Sequence, residues 1–349
     1  MTKKRFGKSS ASLLNQKKSF FSENKHHVKK QRKIAQLYKK QPKRICCVNC
    51  NKKLRLIPDF VKDSIGYIIC ENCHHLNGEY EKTDELCDAL YAENSGEEYA
   101  ENYHSKDVEA YNYRTASIYI PKAEFLHTSL KEKNINPHDL DYFDFGAGSG
   151  YFVSALKKIG LKNLTGTDVS KYQVEFGNAM IGENILSTHT VEETTSIIRN
   201  ISSKVVSMVD VLEHLKSPRD VLLELKNNKH VDFLFVSVPT FSLSVYLEMI
   251  SPDVFHRQLD GDHTHLFTKK SLSYLFKDFS FDILAEWWFG TDIVDLFRHI
   301  SVLMEKIQCS KKLMDLWKKD FIPIIDGMQL EIDKNQFSSQ VHMILKRVK

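Results

Sequence analysis

The 349-residue sequence has no internal repeat, no run of about 18 apolar residues and no large net charge. Without a repeat it is not a solenoid or a propeller. Without the apolar run it has no candidate membrane-spanning helix. The start is basic, but Ser19-Phe20-Phe21 is too short for the apolar centre of a secretory leader, so a cytoplasmic protein is expected. In a reducing compartment its seven cysteines, Cys46, Cys47, Cys50, Cys70, Cys73, Cys87 and Cys309, suggest metal binding rather than disulfides.

The formal charge of +4 hides an asymmetry. Residues 1–44 hold 15 Lys or Arg against one acid, Glu23, which leaves the remaining chain near −10. A basic arm on an acidic body suits an anionic partner such as nucleic acid, and equally suits a solvated tail. The expectation is a disordered arm over 1–44, with a short helix around Val28–Lys40. A hydrophobic content of 42% is ample for a core.

Cys47-x-x-Cys50 and Cys70-x-x-Cys73 stand nineteen residues apart. Two such knuckles supply four thiolates in the zinc-ribbon spacing, and a closed four-thiolate site is structural. Residues 45–85 are therefore expected to be a ribbon holding Zn²⁺. Cys46, His74 and His75 are adjacent competitors. Residues 86–135 are expected to be a helical connector or lid over the substrate, with Pro121 kinking or interrupting a helix over 114–133.

From Asp141 onward strand-like and helix-like runs alternate, which predicts βαβ units and a mainly parallel sheet. The strands are expected at Asp141–Phe145, Leu164–Asp168, Lys204–Asp210, Val231–Val238, Phe281–Phe289 and Gln340–Val348. A helical segment over 292–320 is expected within an insertion at about 291–336. Trp287 and Trp288 alternate across their strand, so one is expected in the core and the other at an interface.

The strongest local pattern is Asp144-Phe-Gly-Ala-Gly-Ser-Gly150, between an apolar strand and a helix. Glycines there allow sharp turns and close ligand approach at a helix N-terminus. Asp168 ends the next strand, where a carboxylate can accept both hydroxyls of a ribose.

With Gly166-Thr-Asp168 and Val205-Val-Ser-Met-Val-Asp-Val-Leu-Glu-His214, this segment resembles the class I S-adenosylmethionine-dependent methyltransferases over roughly 141–289. The resemblance implies a Rossmann-like seven-stranded α/β sheet with an antiparallel last strand in a domain over 136–349. It implies that Gly146, Ala147, Gly148, Ser149 and Gly150 line the methionine part of the cofactor. Asp168 and the adjacent Val169 would hold the ribose, and Asp144 would lie by the amino group. Asp210 and Val211 would face the methyl donor, with His189 and Thr190 near the adenine. His265-Leu-Phe-Thr-Lys-Lys-Ser-Leu272 resembles the segment after the family's fifth strand. Cys70-Glu-Asn-Cys-His-His-Leu-Asn-Gly78, Tyr111-Asn-Tyr-Arg114 and Ile118–Ala123 resemble the zinc-ribbon methyltransferases of bacterial surface-polysaccharide and deoxysugar synthesis.

Methyl transfer from an activated sulfonium needs alignment and, for a hydroxyl acceptor, a general base, for which histidine is suited. His265 is the first candidate, then His263, His214 and Glu213, with His256 in the same region. His263 and His265 could also share a metal with Asp260 or Asp262. Tyr246 is placed either against substrate or in the core. A sugar or glycan acceptor, such as a nucleotide sugar or polysaccharide, is the first reading. RNA, held by ribbon and arm, is the second. A non-catalytic assembly protein that retains a cofactor fold is the third.

Overall fold

The computed structural model describes residues 2–16, 23–87, 89–90, 108–259 and 263–348. Its strands are β1 (Lys3–Phe6), β2 (Phe60–Lys62), β3 (Ile65–Ile69), β4 (Leu76–Gly78), β5 (Tyr142–Phe145), β6 (Leu164–Asp168), β7 (Leu186–Thr188), β8 (Val205–Val209), β9 (Phe233–Pro239), β10 (His265–Leu266), β11 (Phe281–Phe289) and β12 (Gln340–Arg347). The large sheet has the order β1-β11-β12-β9-β8-β5-β6-β7. Strands β5 to β9 pair in parallel, and β12 runs antiparallel to both β9 and β11. This is the α/β methyltransferase sheet expected, with one strand more.

Every residue of β9 is buried, as expected of a central strand covered on both faces. Alternate side chains enter opposite cores: Leu234 and Val236 on one face, Phe233 and Phe235 on the other. The helices that cover the faces start where the sequence supplies a cap. Ser170 accepts from the Gln173 N–H ahead of Lys171–Ile181, and Ser217 with Pro218 opens Pro218–Asn227. Thr268 and Ser271 form a reciprocal box at the start of Lys269–Asp278.

The extra strand corrects the expectation of a disordered arm. Lys3–Phe6 adds to the sheet edge in parallel with β11, Arg5 opposite Trp287 and Phe6 opposite Trp288. The Arg5 guanidinium lies 3.7 Å from the Trp287 ring centroid, and the indole N–H donates to the Gly7 carbonyl at 2.9 Å. Both tryptophans are 1% exposed, so neither is at an interface; each serves one face of a sheet buried on both sides. The same arm forms a helix, Asn24–Tyr38, that buries Val28, Gln31, Ala35 and Tyr38. Backbone pairing at an open edge and one apolar helix stripe order these residues, and neither depends on low charge.

Two further expectations change. The interruption at Pro121 does not end the helix: a π-turn at Thr115–Tyr119 joins Val108–Arg114 to Ile120–Lys131, with Pro121 in the first turn of the latter, where no N–H is required. Of the connector or lid, residues 88 and 91–107 lie outside the described residues. The single helix over 292–320 is two, Asp292–Lys306 and Lys311–Phe321. Gln308 takes a left-handed φ of 58° and Ser310 caps the second helix.

The ribbon is a separate four-stranded sheet, β10-β4-β3-β2. Its edge strand β10 comes from the segment after β9, so the ribbon shares a strand with the chain of the large domain. The Gly78 N–H also donates to the Thr264 carbonyl at 2.8 Å.

Candidate active site

The turn after β5 folds back over the end of β6. The Asp168 Oδ2 accepts the Gly148 N–H at 2.7 Å, and Oδ1 accepts that of Ser170 at 2.9 Å. Gly146 has φ +72°, and a Cβ there would lie 2.5 Å from the Val211 Cγ2, so only glycine fits. Gly146, Ala147, Gly148 and Ser149 line one wall of a cavity of about 690 Å³, with Asp144, Asp168, Val169, His189, Asp210 and Val211. Gly150, expected on that wall, is not among its lining residues. It turns beneath it at φ +69°, where a Cβ would meet Ile181 and Leu186 at 2.8 Å. Its role is packing under the turn.

The acids differ in setting. Asp144 is buried and accepts the Ser207 hydroxyl at 2.6 Å; burial raises its pKa to about 7. Asp168 is enclosed by protein yet keeps surface toward the cavity. Its pKa is also raised by burial, against the opposing pull of the Ser170 and Gly148 N–H groups. Asp210 sits at the end of β8 with φ 57°, a strained backbone for a non-glycine residue. Ser237 donates to it at 2.8 Å, Gln340 donates as well, and the Lys122 ammonium stands 3.3 Å away. His189 is tied to the Thr167 hydroxyl at 2.8 Å, whereas Thr190 caps the following turn.

The candidate bases divide. Glu213, His214 and His263 line the cavity. The rings of His214 and His263 lie 4.9 Å apart, and His263 Nδ1 is 3.0 Å from the Gln258 carbonyl oxygen. Burial, then His263, pushes the His214 pKa well below the ordinary value, so its ring is neutral. His265 does not reach the cavity. It lies 1% exposed on β10, its Nδ1 2.9 Å from the Nε2 of His75, inside the joint between ribbon and large domain. Alternation along the strand sends adjacent odd-numbered neighbours to one face only while the strand is straight, and the chain turns between 263 and 265. His256 is buried against His299 at 3.0 Å, also outside the cavity lining. Tyr246 is 47% exposed and neither lines the cavity nor fills the core. Asp260 and Asp262, the proposed metal partners of His263, lie outside the described residues.

Five cationic residues in the lining carried no assigned role in the sequence: Lys8, Arg114, Lys122, Lys216 and Arg257. Lys8 arrives because β1 ends at Phe6 and Gly7, at φ +80°, redirects the chain. Burial, helped by Lys122, lowers its pKa to about 7. No local pattern in Gly7-Lys8-Ser9 signals this placement.

In the ribbon, Cys47, Cys50, Cys70 and Cys73 are buried with all four sulfurs within 4.8 Å of one another. Cys47 and Cys73 are 3.6 Å apart, and Cys50 and Cys70 3.5 Å. Tetrahedral zinc with bonds near 2.3 Å separates its sulfurs by about 3.8 Å, so this donor set fits. The Asn77 amide reaches the Cys47 sulfur at 3.5 Å. Cys46 stands outside the group, and His75 is engaged with Ser271 and His265.

Residues 114–286 match the model of a family described as a methyltransferase domain. No curated protein matches the chain in sequence. Among solved structures it is similar to magnesium protoporphyrin IX methyltransferase from Synechocystis PCC 6803 with bound SAH, at 12% identity and TM-score 0.48, covering 76% of this chain and 100% of that one. It is similar also to a putative sarcosine dimethylglycine methyltransferase from Galdieria sulphuraria, at 13% identity and TM-score 0.45, covering 73% and 98%. A third is the plantazolicin methyltransferase in complex with a triazolic desmethylPZN analog and SAH, at 15% identity and TM-score 0.44, covering 76% and 96%. Among the described residues no helix is long and apolar enough to cross a membrane.

Proposed function

We propose that the protein is an S-adenosylmethionine-dependent methyltransferase acting on a small polar acceptor of sugar type, as a nucleotide sugar or glycan, with zinc in the ribbon as a structural ion. The observation that carries this is the Asp168 carboxylate closed onto the Gly148 N–H at the wall of an open cavity. A ribose fits beside Asp168, an ammonium beside Asp144, and the reactive methyl on the Asp210 side. In-line displacement then needs an acceptor held on the wall of Glu213, His214 and His263. His214 and His263, rather than His265, are the histidines on that wall. Lys8, Arg114, Lys122 and Arg257 support an acceptor or cofactor group of negative charge.

The RNA reading loses its free basic arm, because residues 3–6 and 24–38 are built into the fold. The deciding experiment is calorimetry with S-adenosylmethionine, followed by incubation with labelled cofactor and separate pools of nucleotide sugars, glycans and RNA. Micromolar cofactor binding and label in the first two pools are expected. A protein that does not bind the cofactor is not this enzyme, and label confined to RNA replaces the acceptor.

A further inference from the structure

Glu213 is fully buried, and among the described residues neither of its carboxylate oxygens has a hydrogen-bond partner. Leaving a buried carboxylate without a donor is costly. Burial, then the neighbouring Asp210, holds its pKa well above the ordinary carboxylate range, and Lys82 and Lys122, which oppose this through space, do not donate to it. Beside it are two imidazoles: one ligand atom from each of Glu213, His214 and His263 lies within 4.8 Å of the other two, and His214 Nε2 is 4.0 Å from Glu213 Oε1.

His263 is prepared for one role. Its Nδ1 faces the Gln258 carbonyl, which accepts, so Nδ1 carries the hydrogen and Nε2 keeps a lone pair. Gln258 is itself fixed, since its N–H donates at 2.8 Å to Glu248, a buried acid paired with the ribbon residue Lys62. The ribbon thus holds this imidazole from two directions, through Lys62 and through β10 two residues further on.

We propose that Glu213, His214 and His263 form a divalent-cation site on the cavity wall, with coordination positions left open to the cavity for an oxygen of the acceptor. A carboxylate with two imidazoles suits a first-row transition ion such as Mn²⁺ or Zn²⁺ better than Mg²⁺, which prefers an all-oxygen shell. Bonds of about 2.0–2.2 Å draw the three ligands inward by small side-chain rotations. The bound cation satisfies the otherwise unpartnered Glu213. Held by the imidazole nitrogens, it would polarise an acceptor hydroxyl so that, as the methyl passes from the sulfonium sulfur to that oxygen and the S–C bond breaks, the hydroxyl proton leaves to water in the open cavity. The use of the cation on an acceptor rests on the methyl-transfer reading; the site itself does not.

The test is titration of the zinc-loaded protein with Mn²⁺, followed by the paramagnetic resonance of free Mn²⁺, with S-adenosylmethionine calorimetry in parallel. The wild type is expected to take up one Mn²⁺ with micromolar affinity. Glu213→Gln and His263→Ala should each weaken uptake by at least ~10-fold while cofactor affinity stays within about threefold, which shows both variants folded. Wild-type protein that takes up no Mn²⁺ below millimolar concentration overturns the site, as does equal uptake by Glu213→Gln. Absent cofactor binding with normal Mn²⁺ uptake removes the methyl-transfer reading and keeps the cation site.

Discussion

Asp168 and Gly148, twenty residues apart, are joined by a hydrogen bond of 2.7 Å from the glycine's backbone N–H to the carboxylate. The bond makes the acid part of the turn's own structure as well as a receptor for ligand hydroxyls. Asp168→Ala is therefore expected to weaken S-adenosylmethionine binding by about 10- to 100-fold, the loss of one or two hydrogen bonds to a charged group. Calorimetry measures this. Unchanged affinity in a folded variant would place the ribose elsewhere.

Gly146→Ala sets a Cβ 2.5 Å from Val211 at a φ of +72°. Strain of this kind costs about 1–3 kcal/mol. Thermal melting should show the loss, and cofactor binding should weaken with it. Adding Val211→Ala relieves the contact and leaves the backbone strain, so the double variant should recover only part of the stability.

Asp144 has a pKa near 7 in the ligand-free chain, raised by burial. Between its ordinary value and about 7, the folded chain keeps a proton that the unfolded chain has released, so this residue lowers stability as pH rises through that window. A ligand ammonium needs the ionised form. Cofactor affinity should accordingly climb with pH up to about 7, by at most about tenfold per unit, and binding at pH 6 should release a proton. Calorimetry in buffers of different ionisation enthalpy detects that proton; Asp144→Asn should abolish its release.

Removing residues 1–8 uncovers the β11 edge and takes Arg5 off Trp287. A loss of about 2 kcal/mol, or a fall in Tm of roughly 4–8 °C, is expected by scanning calorimetry, along with a greater tendency to aggregate through the open edge. The truncation also removes Lys8 from the cavity, so acceptor turnover should fall further than cofactor affinity.

Cys73→Ser opens the four-sulfur group. Zinc content should drop, and the ribbon should lose order. Because β10 and Lys62 hold the segment around His263, acceptor-dependent turnover should fall at least ~10-fold, with cofactor affinity within a few-fold of wild type. Equal losses in both measurements would show that the ribbon supports the whole domain instead.

The sequence by itself determined the parts whose physics is local. Glycines at 146 and 148, the acid closing β6 and the two Cys-x-x-Cys knuckles each show a characteristic spacing that the sequence displays directly. Apolar runs likewise marked the parallel strands β5, β6, β8 and β9, whereas the short edge strand β7, with only Leu186 buried, left no such signature. Tertiary structure decided the rest. Lys3–Phe6 became a strand through backbone bonds to β11, 282 positions further along at the Phe6–Trp288 register, and those bonds are blind to side-chain charge. His263 faces the cavity and His265 the ribbon because β10 pairs with β4, a long-range contact that assigns two histidines, one residue apart from adjacency, to different environments.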